Sequence, residues 1–153
     1  MSKLSAGLVL YRSQAGELEV LLGHMGGPFW ARKDERAWSI PKGEYAEGED
    51  PRAVAAREFT EELGSPPPPG PWLDLGEIRQ SGKRVTAYAV AGDFDPDSAV
   101  SNTFELEWPP RSGRIQSFPE IDRVAWFTLP EAATKLVTAQ TTLLPRLATA
   151  TTP

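Results

Sequence analysis

Apolar and polar positions alternate along most of this chain, and that period of two predicts strands. Ala6 to Arg12 reads as a first strand, Ser13 to Gly16 as a turn, and Glu17 to Met25 as a returning strand, so the two form a hairpin. Gly26-Gly27-Pro28 breaks the run, and Ala37 to Ile40 is a short buried strand. Trp72 to Gln80 and Arg84 to Gly92 are further strands around a turn at Ser81-Gly82-Lys83. On the second of these, Val85, Ala87, Ala89 and Ala91 share one face, and Thr86, Tyr88 and Val90 share the other. Phe104 to Trp108 reads as a strand, Phe118 to Asp122 as a turn, and Arg123 to Thr128 as the last strand.

The period changes to helical between Asp50 and Gly64. Ala55, Ala56, Phe59 and Leu63 fall in one sector, which predicts a helix with one face on a core. Asp50 is a good N-cap, Pro51 sits at the first helical position, and Gly64 is placed to end the helix. Leu129-Pro130 starts another helix. A last one runs from about Gln140 to Ala148, disturbed by Pro145, and the tail from Thr149 to Pro153 is expected to fray. Strands, one central helix, more strands and terminal helices predict an α+β domain. The run Pro66 to Pro69 reads as a rigid surface connection and not a linker, so residues 1–153 are expected to form a single domain.

Composition narrows the function classes. A chain of 153 residues with 40% hydrophobic and 24% charged positions suits one globular domain. No apolar run approaches the roughly 20 residues that span a membrane, and the N-terminal apolar run is too short for a signal peptide. No membrane association is therefore expected, and a cytoplasmic location fits. Cysteine is absent, which removes disulfides and thiolate metal sites. A net charge of −5 argues against a broad nucleic-acid surface. An anionic ligand would need a cation or a local cluster of Lys and Arg. With His24 the only histidine, a general base is expected to be a carboxylate.

One charge pattern stands out. Glu58, Glu61 and Glu62 are spaced i, i+3 and i+4, so three carboxylates share one helical face. Like charges at that spacing repel, and Arg57 offsets only part of it. A solvated acidic face is the ordinary explanation of such a pattern. Here the cluster follows Pro41-Lys42-Gly43-Glu44, a loop whose glycine lets backbone approach a ligand. A hard divalent cation with oxygen ligands would relieve the repulsion, and clustered carboxylates plus such an ion hold phosphate chains.

Gly43, Glu49, Arg57, Glu58, Phe59, Glu61, Glu62 and Gly64 fall at the spacing G-x5-E-x7-R-E-U-x-E-E-x-G-U, where U is a bulky aliphatic residue. The stretch from Gly43 to Ser65 thereby resembles the box of the Nudix hydrolase family. Phe59 and Ser65 depart from it at the two U positions. The resemblance implies an α/β/α sandwich with a central mixed sheet. It also implies metal-dependent hydrolysis of a phosphoanhydride bond in a nucleoside diphosphate linked to another group. Mg2+ or Mn2+ would be held by Glu58, Glu61, Glu62 and the backbone of Gly43. A glutamate of the cluster (Glu58 or Glu61) or an outside one, of which Glu120 is the best placed, would take a proton from water. Glu49, Arg57 and Gly64 would be structural. The S-I-P-K-G-E lead-in and the K-R-V-T-A-Y strand look similar to the Ap4A hydrolase branch, which matches Lys83 and Tyr88 to substrate-binding positions. Lys42, Arg111 and Arg114 are further candidates for phosphate contact, since Arg suits bidentate phosphate recognition. The expected partner is a small nucleotide. A nucleoside triphosphate pyrophosphohydrolase is the alternative activity, and a non-catalytic nucleotide-binding regulator the alternative class. Trp30 is available to stack on a base, although a surface loop with one anchoring Trp is the favoured reading. Asp93, Asp95 and Asp97 lack the Gly and closing Glu of a calcium loop and read as a turn.

Overall fold

The computed structural model describes residues 3–152, so Pro153 of the predicted tail lies outside the described residues. Nine strands are described, and seven of them make one sheet. β1 (Lys3–Gln14) and β2 (Glu17–Met25) form the predicted hairpin. β3 (Trp38–Ser39) and β9 (Ile121–Thr128) both pair with β2. β6 (Lys83–Ala91) runs parallel to β1 and antiparallel to β5 (Trp72–Gln80), and β4 (Lys42–Tyr45) pairs with the start of β1. β7 (Thr103–Glu107) and β8 (Ile115–Pro119) form a separate two-stranded hairpin.

The sheet is covered on both faces, so its central strands are apolar on both sides. α1 (Pro51–Leu63) buries Val54, Ala55, Phe59 and Leu63 against Ala6, Leu8, Leu10 and Tyr88. On the other face, α2 (Leu129–Lys135) and α3 (Leu143–Thr151) bury Ala132, Leu143, Leu144 and Leu147 against Val20, Leu22, Val85, Ala87 and Ala89. The mixed sheet between helices is the α/β/α arrangement expected.

Two strands replace predicted loops. Lys42 to Tyr45 carries no apolar alternation, and its pairing with β1 holds it extended. Ile115 to Pro119 is exposed along most of its length and is held by β7. The last helix starts later than predicted and runs through Thr151, so residues 149–151 are helical where fraying was expected. Pro145 does not disturb it, because it sits in the first turn, where a backbone N–H has no helical partner.

Candidate active site

The acidic helix is built as its caps require. Asp50 accepts a hydrogen bond from Arg52 N at 3.1 Å, and the chain leaves the helix through Gly64 at φ 87°, a conformation that favours glycine. Its carboxylates meet β4. A Cβ built on Gly43 would lie 2.1 Å from Glu58 Oε1, so only a glycine lets the Glu58 side chain rest against this strand. Glu62 Oε2 accepts the Lys42 N–H at 3.3 Å. Glu62 is 9% exposed. Burial, then repulsion from Glu58, pushes its pKa up to about 8. Glu58 is raised as well, by burial first and by Glu61 second, with Arg57 pulling the other way. The Lys42 ammonium is lowered by burial and by Lys83.

Glu120 reaches this cluster through backbone. Asn102 N donates to Glu61 O at 2.8 Å, and Glu120 N donates to Asn102 O at 2.7 Å. The residue between β8 and β9 is thus tied to the end of α1. Lys42, Gly43, Glu58, Glu61, Glu62, Lys83 and Glu120 all line one cavity of about 320 Å³, together with Ser5, Glu44 and Asn102. A larger cleft, about 640 Å³, adjoins it across Glu44 and carries Tyr45, Arg79 and Arg84.

The family model for the NUDIX domain matches residues 1–147. The chain belongs to the Nudix family. No curated protein matches it. Solved structures with the same fold include a Caenorhabditis elegans Ap4A hydrolase binary complex, 23% identical over 95% of this chain and 96% of that one, with a TM-score of 0.61. The NUDIX domain of Shewanella oneidensis NrtR complexed with ADP ribose is 17% identical over 99% of this chain and 90% of that one, at a TM-score of 0.67. The C-terminal domain of mouse MUTYH, in complex with human PCNA, is 21% identical over 97% and 89%, at 0.62. As a Nudix hydrolase the protein acts on acid anhydrides in phosphorus-containing compounds. Among the described residues no helix is long and apolar enough to cross a membrane.

The Nudix box organises the rest of the site. Arg57 Nη1 donates to Glu49 Oε2 at 3.2 Å, and its Nε lies 3.7 Å from Glu58 Oε2. Glu49 Oε1 also accepts the Ala46 N–H at 3.1 Å, bracing the loop before the helix. Four candidates lie elsewhere. Tyr88 is 7% exposed and packs on Trp72 under α1, with centroids 5.7 Å apart. Arg111 and Arg114 sit at the tip of the β7–β8 hairpin. The hairpin's base pair is Thr103–Pro119 and its outer pair Glu107–Ile115. Four strand steps put the tip about 13 Å or more beyond the base. Trp30 is partly buried against the core, with the Lys33 ammonium 5.2 Å from its ring. Asp93 pairs with Arg12 at 2.8 Å and Asp95 caps the turn at Pro96 to Ser98, so both have structural partners. Ser5, Glu44 and Asn102 were not foreseen. Glu44 directly follows Gly43, whereas nothing local marks Ser5 and Asn102, which tertiary pairing brings to the cavity.

The donor set fits the divalent metal that the family uses. Glu58, Glu61, Glu62 and Glu120 are hard oxygen donors around one cavity, and burial and crowding that hold protons on Glu58 and Glu62 are the cost of ionisation that such an ion offsets. Among the described residues no three acids or imidazoles already close on a single ion-sized point. The donors are spread along the cavity wall.

Proposed function

We propose that this Nudix hydrolase cleaves a phosphoanhydride bond in a nucleoside diphosphate linked to another group, with a dinucleoside polyphosphate such as Ap4A as the leading substrate. The observation that carries the reading is the convergence of Glu58, Glu61, Glu62 and Glu120 with Lys42 and Lys83 in one cavity. Glu58, Glu61, Glu62 and the Gly43 carbonyl would hold Mg2+ or Mn2+. When bound, the ion neutralises phosphate charge and lowers the pKa of water. Lys42 and Lys83 attract and orient the phosphate chain. Glu61 is half-buried and Glu120 exposed at the cavity, and one of them takes the proton of the attacking water. Arg57 and Glu49 hold Glu58 in place. The adjoining cleft of about 640 Å³ has room for a nucleoside, which pockets of this size accommodate. The likeness to the C. elegans Ap4A hydrolase supports the choice of substrate.

The test is a panel of Ap4A, Ap3A, nucleoside triphosphates, ADP-ribose and NADH with Mg2+ or Mn2+, and products resolved by chromatography. Preferential conversion of Ap4A to ATP and AMP is the expected result. Triphosphates going to monophosphate and pyrophosphate would move the assignment to a nucleotide-pool pyrophosphohydrolase. Tight binding without turnover would make the protein a regulator.

A further inference from the structure

Two polar groups on the wall of the acidic cavity have no partner. Ser5 in β1 is fully buried, and among the described residues its Oγ is the one buried side-chain nitrogen or oxygen without a hydrogen bond. The other buried polar side chains are all engaged. His24 meets Asp122 and Lys33 O, Ser39 and Gln140 bond each other, and Glu62 accepts from Lys42 N. An unpaired buried hydroxyl is costly, and alanine would fill the same space without the cost. The second group is the Lys42 ammonium, which forms no ion pair among the described residues although it lines a cavity with several carboxylates.

Strand register puts the two on the same side of the sheet. Ser5 stands opposite Glu44 on β4 and beside Val85 on β6. Side chains alternate, so Ser5, Lys42, Glu44 and Lys83 share one face. The Lys42 stem is seated over Gly7, two residues from Ser5: a Cβ there would lie 2.9 Å from Lys42 Cβ. Lys83 Nζ lies 2.8 Å from Glu44 Oε2 and flanks the same spot. A hydroxyl donor and an ammonium satisfied together call for an anionic oxygen.

We propose that the Ser5 hydroxyl, turned into the cavity on binding, and the Lys42 ammonium form a binding site for one non-bridging phosphate oxygen of a phosphate chain, with Lys83 at its flank. The substrate class rests on the pyrophosphohydrolase reading above, while the binding itself does not. The site explains why a hydroxyl is kept where nothing in the folded chain answers it. It also separates stability from function: the hydroxyl is a defect in the free protein and a contact in the bound one.

The experiment is Ser5→Ala, measured three ways. Thermal unfolding of the free protein reads the cost of the unpaired hydroxyl. Calorimetric binding of imidodiphosphate with Mg2+ reads phosphate contact without turnover. Steady-state hydrolysis of Ap4A reads kcat/KM. The expected result is a free variant at least as stable as wild type, with imidodiphosphate affinity and kcat/KM both down about tenfold, as loss of one hydrogen bond to a charged oxygen predicts. Unchanged affinity and kcat/KM would overturn the proposal. A less stable free variant would overturn it too, since the hydroxyl would then have a partner inside the folded protein. If wild type hydrolyses no nucleotide but loses imidodiphosphate on Ser5→Ala, the function fails and this site stands.

Discussion

Replacing Glu62 by glutamine stabilises the metal-free protein at neutral pH and disables it. Burial, then Glu58, raises the Glu62 carboxyl from 4.5 to about 8 in the folded state. In the unfolded chain it titrates at its ordinary value. Between the two, the folded state holds a proton that the unfolded state has released, so stability falls as pH rises from 4.5 towards 8. Below 4.5 there is no penalty. At about 1.4 kcal/mol per pH unit, the loss at pH 7 is about 3 kcal/mol. Glutamine has no proton to lose, and its Oε1 can still accept the Lys42 N–H. The variant should therefore match wild type at pH 4.5 and exceed it at pH 7 by about 3 kcal/mol, or roughly 6–12 °C in Tm for a domain of this size. Thermal unfolding in chelator across pH 4.5–8 measures this. Adding Mg2+ at pH 8 should raise the wild-type Tm more than the variant's. Melting curves for the two that run parallel across the whole range would refute the reasoning, because Glu62 would then not be the buried, repelled carboxyl described.

Other consequences follow from the same geometry. Gly43→Ala drives a methyl into Glu58, so turnover should fall by about 100-fold while stability drops by no more than about 1–3 kcal/mol, which paired kinetics and urea melts check. Arg57→Met frees Glu49 and Glu58 at an exposed pair, so unfolding free energy should stay within about 1 kcal/mol while kcat falls about tenfold. Replacing both Arg111 and Arg114 by alanine should change KM by less than about twofold, since the hairpin tip stands about 13 Å or more from its base; a larger rise in KM would show that the hairpin folds over the substrate.

How far the chain can be read without coordinates depends on the range of the interaction. Asp50, Pro51 and Gly64 mark the box helix because capping acts within a turn. The two faces of β6 were visible in the alternation of Val85, Ala87 and Ala89 with Tyr88 and Val90, and the helices on either side of the sheet bury both. The same alternation could not say whether Tyr88 faces ligand or core, and Trp72 and α1 decide for core. β4 is polar and exists only through β1, distant in sequence, while β8 is exposed and held only by its hairpin partner β7. Glu58, Glu61 and Glu62 were legible as a local charge pattern. Ser5 and Asn102 were not, since each joins the cavity by strand pairing or a backbone bond across the fold.

The central claim is that the cavity of Glu58, Glu61, Glu62 and Glu120 hydrolyses a phosphoanhydride bond with the help of a divalent cation. It is tested most directly by following Ap4A with purified protein and Mg2+ beside Glu58→Gln, each variant first shown to be folded. The account predicts ATP and AMP from wild type, none in chelator, and a rate at least about 100-fold lower from Glu58→Gln. Equal rates from the two proteins would contradict it, and so would Ap4A hydrolysis by wild type that persists undiminished in chelator.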